Sequence, residues 1–184
     1  MEIETSKARL SELVAAEGVR LEMTLYGGAV MLLAYDARDA TKEVDAIVHP
    51  PEVARRLVAK VARERGLPDN WLNDDVKLYV STREAKNEIV IANVAPAGLH
   101  VTRPTAKYLL AMKVMACRKP LPGYAGDLGD IATLLRVTRL RSLAAVEAVV
   151  ETFFPDTVLS PETKQTLIGI LEEISREDGR KPAP

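Results

Sequence analysis

Glu43 and Asp45 stand one residue apart at the head of an apolar run, inside the stretch LYGGAVMLLAYDARDATKEVDAIV from Leu25 to Val48. In a β-strand, residues two apart project from the same face, so the two carboxylates would stand side by side. Paired carboxylates repel each other unless a cation offsets the charge. Oxygen ligands at this spacing suit Mg²⁺, which takes one or two carboxylates and completes its shell with water and phosphate. Upstream, Gly27-Gly28 lies between a strand pattern and a short apolar helix. There glycine lets the backbone approach a ligand closely, and helix N–H groups face an anion. Each feature also has a plain reading: acids at a strand's first residues are often solvated, and Gly-Gly is an ordinary turn.

The second half of the chain offers a lysine in an unexpected place. In RPTAKYLLAMKVMACRK, the helical neighbours of Lys113 at three and four residues are Leu109, Leu110, Ala116 and Cys117, all apolar. Such a lysine snorkels, pairs with an acid, or serves chemistry. In GYAGDLGDIATLL, Asp127 and Asp130 share a helix face with Ile131 and Leu134. Asp127 also reads as an N-cap, and acids in a first turn favour the helix dipole.

The ordered set resembles the nucleotidyltransferase superfamily with the polymerase-β type of fold, and more narrowly its AbiEii-type branch, the bacterial nucleotidyltransferase toxins that include the MenT proteins. The matching residues are Gly27, Gly28, Arg38, Thr41, Glu43 and Asp45, then Lys113 within LLAMKVMA, then Asp127 to Ile131, over about residues 20–136. The resemblance implies that Glu43 and Asp45 ligate Mg²⁺ or Mn²⁺, and that Gly27, Gly28, Arg38, Thr41 and Lys113 bind the nucleoside triphosphate. It makes Asp45, Lys113 and Asp127 catalytic, with Asp130 supporting Asp127 or pairing with Lys113. It also implies that positions 43, 45 and 113 converge on one shared cleft. The implied reaction moves a nucleoside monophosphate to an acceptor, the 3′ end of tRNA or a protein hydroxyl. The implied biology is a toxin silenced by a cognate antitoxin protein. Two positions depart from the family pattern: Glu43 replaces its aspartate, and Gly126 replaces a basic residue. They motivate an alternative, a catalytically weak or inactive relative that binds nucleotide or protein. A third reading is a plain α/β interaction module.

Composition sets the bounds. With 184 residues, 47% hydrophobic but only 4% aromatic, the chain must build an aliphatic core. The net charge of −1 provides no global positive field, so a nucleic-acid partner would need a local basic patch. Arg136, Arg139 and Arg141 form one such cluster, readable as a solvated turn or as an RNA-backbone surface. The single cysteine, Cys117, fits a reducing compartment and inert packing. His49 and His100 lack partners at zinc-ligand spacing. No apolar run approaches the ~18 residues that span a bilayer, so a cytoplasmic protein with no membrane association is expected.

The elements that must position these residues follow from periodicity. Helices are expected over residues 5–16, 29–35, 51–65, 104–119, 126–138, 142–153 and 161–176. Strands are expected over 19–26, 43–48, 76–80, 88–94 and 99–102. The expected fold is α+β: a small mixed sheet flanked by helices over 1–102, as in nucleotidyltransferases, then a C-terminal helical bundle over 103–176 that completes the cleft, and a flexible tail over 177–184. The only tryptophan, Trp71 in WLND, reads as packing.

Overall fold

Alternation of Leu21, Met23 and Leu25 with Glu22 and Thr24 produces β1 (Leu21–Leu25), the central strand of a mixed five-stranded sheet in an α+β structure. The computed structural model describes residues 2–37, 43–91, 93–95, 98–122 and 126–179, with side chains from residue 6 onward. Strand β2 (Val44–His49) runs antiparallel to β1, and β3 (Leu72–Asn73) pairs parallel with β2. On the other side, β5 (Leu99–Pro104) lies parallel to β1 and carries β4 (Lys86–Glu88) antiparallel, giving the order β3-β2-β1-β5-β4.

The pairings Met23↔Val48, Leu25↔Ala46 and Met23↔Val101 gather the buried side chains on one sheet face. Leu21 and Leu25 are fully buried there. Each such leucine contributes about 1.5–3 kcal/mol, so a one-residue slip that exchanged them for Glu22 and Thr24 is strongly disfavoured. The opposite face carries Thr24, whose hydroxyl meets that of Thr102 at 2.9 Å. Alternation places Asp45 and Ile47 on that face too.

Helix α1 (Glu2–Ala16) packs on α3 (Pro51–Arg65), and α3 packs on β2. Pro51 opens α3 and Gly66, at φ 64°, closes it, as the sequence signals predict. Trp71 is buried at 2% exposure, with its indole N–H donating to the Val58 carbonyl at 3.2 Å. Trp71→Phe is expected to cost about 1–3 kcal/mol through the orphaned carbonyl and the lost ring volume, read as a lower urea midpoint. Helix α2 (Gly27–Tyr35) follows β1 and packs on β2. These elements form a first compact unit, Met1–Tyr79 with Lys86–Pro104.

The second unit comprises Val80–Ala85 and Thr105–Pro184. Its helices are α4 (Ala106–Ala116), α5 (Leu128–Thr138), α6 (Leu143–Phe153) and α7 (Pro161–Glu177). Thr105, Ser142 and Ser160 cap α4, α6 and α7 with their hydroxyls, leaving fewer first-turn N–H groups unsatisfied. Helix α4 packs on α5 and α6, and α7 packs on the same two helices. The Val80–Ala85 segment is fastened to this unit by Ser81, whose N–H donates to the Tyr108 hydroxyl at 2.8 Å and whose hydroxyl donates to the Phe153 carbonyl.

Two expected strands differ from what forms. Residues 76–80 do not make a strand; Asp75–Leu78 is a 3₁₀ turn. Asn73 accepts the Asp75 N–H, and Lys77 pairs back to Asp74 at 2.9 Å, so local bonds close the chain before a ladder can form. The strand expected at 88–94 is shorter and earlier, at Lys86–Glu88. No helix among the described residues is long and apolar enough to cross a membrane.

Candidate functional site

Asp45 and Gly27 meet at the junction of β2 and α2. The Tyr26 N–H donates to the Asp45 carbonyl at 2.8 Å, bringing the start of α2 alongside β2. Gly27 has φ 56°, a left-handed conformation that favours glycine. A Cβ added there would lie 2.2 Å from Asp45 Oδ2, so the absence of a side chain is what admits the carboxylate. The first-turn N–H groups of a helix lack intrahelical acceptors, and Tyr26 provides no side-chain cap. Gly27 and Gly28 therefore bring backbone donors to the same place as a carboxylate. This arrangement suits an aspartate stabilising a neighbouring helix dipole, and it equally suits a metal carboxylate beside a phosphate cradle.

Glu43 lies one residue before β2 begins and is exposed, and its Oε1 accepts from Asn70 Nδ2 at 3.4 Å. Alternation carries it to the Asp45 side of the chain. No group of three or more metal-ligating side chains occurs among the described residues. A two-carboxylate Mg²⁺ site requires no third. The pair, together with the cradle a Cβ would fill at Gly27, therefore fits such an ion. Arg38 and Thr41 lie outside the described residues.

The helical unit assembles a second cluster. Lys113, only 5% exposed, bonds Asp127 Oδ1 at 2.7 Å and Asp130 Oδ2 at 2.8 Å. The lysine surrounded by apolar helical neighbours thus pairs with acids, and with both of them. Asp127 stands at the N-cap of α5 but makes no side-chain cap bond. Its carboxylate instead accepts from Lys113 and from Arg118, through the guanidinium at 2.8 and 3.2 Å and the main-chain N–H at 3.1 Å. Burial pushes the Asp127 carboxyl up, but the hydrogen bonds from Arg118 and Lys113 outweigh it and hold the group below the usual aspartate range.

Two contributors to this cluster escape sequence reasoning. Arg118 carries the signal of a basic residue just beyond the end of α4, though nothing in the sequence assigns it to Asp127. Gly126 has φ 72°, and a Cβ there would sit 2.6 Å from the Arg118 carbonyl. Glycine is what permits the Asp127 N–H to reach that carbonyl at 2.8 Å. Cys117, which closes α4, is half-buried, and burial pushes its thiol up, away from thiolate chemistry. The chain matches no family model, no curated protein and no solved structure.

Proposed function

We propose that the protein is a metal-dependent nucleotidyltransferase, moving a nucleoside monophosphate from a nucleoside triphosphate to the 3′ end of tRNA, and that it acts as the toxin of a toxin–antitoxin pair with a cognate antitoxin protein. The observation that carries this reading is the close approach of Gly27 to the Asp45 carboxylate, which places helix N–H donors beside an acid. Glu43 and Asp45 would hold Mg²⁺ or Mn²⁺, which supplies neutralisation of triphosphate charge. The backbone N–H groups of Gly27 and Gly28 bind phosphate oxygens and orient the α-phosphorus. The acceptor hydroxyl oxygen bonds to that phosphorus and gives up its proton to water as the bond to the bridging oxygen breaks, and pyrophosphate leaves. Lys113, a triphosphate ligand and catalytic group by the resemblance, is engaged by Asp127 and Asp130 and joins α4 to α5.

A second reading is favoured by Glu43, which is exposed and engaged with Asn70: a relative that binds nucleotide without transferring it. One assay separates the two. The protein is incubated with each labelled nucleoside triphosphate, Mg²⁺ and total tRNA. Label is expected on RNA with wild type and at background with Asp45→Ala, while circular dichroism stays unchanged. Nucleotide binding without transfer selects the second reading; neither binding nor transfer discards both.

A further inference from the structure

The turn leaving α5 concentrates positive charge at the opposite end of that helix from Asp127 and Asp130. Arg136 lies in the last turn of α5, Arg139 is its C-cap and Arg141 follows two residues later. Together with Asp178 they line a concavity of about 480 Å³. Arg136 pairs with Glu177, and Arg141 pairs with Asp178 at 3.1 Å while donating to the Leu135 and Leu140 carbonyls at 3.1 Å. Two of the three guanidinium groups are thus engaged by acids. Arg139 is exposed and makes no ion pair among the described residues. Three cations against two acids leave one positive charge in surplus.

Arginines at a helix C-terminus complement its dipole and its open carbonyls, which accounts for Arg136 and Arg141. It does not account for a third arginine with no acidic partner. The backbone of Arg139 is left-handed at φ 56°, but Asp36 and Cys117 close α2 and α4 in the same way. The charge surplus and the concavity, not the conformation, single Arg139 out. Guanidinium forks match phosphate oxygens bidentately. Exposed ion pairs contribute little, so Glu177 and Asp178 can yield to phosphate at small cost.

We infer that this concavity binds backbone phosphates of an RNA strand, with Arg139 as the principal contact. This deepens the reading of RNA as acceptor and rests on it. The test uses the full chain and fluorescently labelled total tRNA, with anisotropy followed between about 50 and 200 mM salt. Arg139→Gly is the informative variant: it removes the cation and relieves the left-handed backbone, so its melting temperature is expected to equal or exceed wild type. Its RNA affinity is expected to fall roughly fivefold to tenfold at low salt, with the salt slope smaller by about one unit. Arg20→Gln, an equal loss of charge at an exposed site, is expected to bind as wild type does.

Unchanged binding by Arg139→Gly, an equal loss in Arg20→Gln, or no RNA binding by wild type would overturn the inference. Retained RNA binding with lost binding to polyglutamate in Arg139→Gly would likewise overturn it, moving the surface to an acidic protein. The enzymatic reading fails separately, on label transfer: wild-type-strength RNA binding without any transfer sinks that reading and leaves the phosphate site standing.

Discussion

Lys113→Ala is expected to lower the unfolding free energy by about 3–5 kcal/mol, because removing one partner of a buried ion cluster leaves charge without its counterion. Lys113, Asp127 and Asp130 are all at least 95% buried, by exposures of 5%, 0% and 4%. In wild type the ammonium serves both carboxylates. In the variant, Asp127 keeps Arg118, but both acids lose their shared cation. Lys113→Met tests the alternative that the lysine matters only for packing: it retains most of the apolar stem, so a near-wild-type urea midpoint would sink the ionic account. Acid should weaken the same cluster. The Asp127 carboxyl is held below its ordinary value of 3.8, so its contribution is fully present above that pH. As pH falls below 3.8, the unfolded chain takes up a proton that the folded chain resists, and the contribution is lost through the folded pKa. The stability gap between wild type and Asp127→Asn should therefore be widest near neutral pH and narrow below pH 3.8.

Gly27→Ala is expected to cost about 2 kcal/mol from the left-handed backbone alone, plus displacement of the Asp45 carboxylate that a Cβ would meet at 2.2 Å. A carboxylate turned from its place would also lose any chemistry it performs. The clash has a specific signature. Asp45→Ala removes the obstructing atoms, so in the double variant the two changes should cost less than their sum, with a coupling of about 0.5–3 kcal/mol. Strict additivity in urea denaturation would show that glycine is present for backbone freedom alone.

Much of the helical half was legible because its signal is local: apolar periodicity marks residues 104–119, 126–138, 142–153 and 161–176 as helical without reference to the rest of the chain. The α2 and β2 positions followed from Gly27-Gly28 and from the apolar run after Asp45. The sheet's outer edge was not legible. Residues 76–80 alternate as a strand does, yet Leu78 and Tyr79 are 76% and 71% exposed, and side-chain bonds at Asn73 and Lys77 decide the local geometry. Lys113 was identifiable as anomalous from its apolar neighbours, and pairing was one of its options. That both acids would meet it depends on how α4 crosses α5, which no local pattern encodes. The approach of Gly27 to Asp45 likewise arises from the pairing of distant backbone, while their order in the chain only hinted at it.

The central strand imposes an order on biosynthesis. Strand β1 bonds laterally to β5, and the hydroxyl contact between Thr24 and Thr102 spans 78 positions. As the polypeptide leaves the ribosome, the antiparallel pair β1–β2, joined through α2, has one ladder edge bare until Pro104 has emerged. Val80–Ala85, which belongs with the helices of the second unit, precedes those helices in the chain. The last element of the sheet and the first helix of the bundle are consecutive in the message, so each nascent molecule passes through an interval of exposed strand edge whose length is set by translation speed.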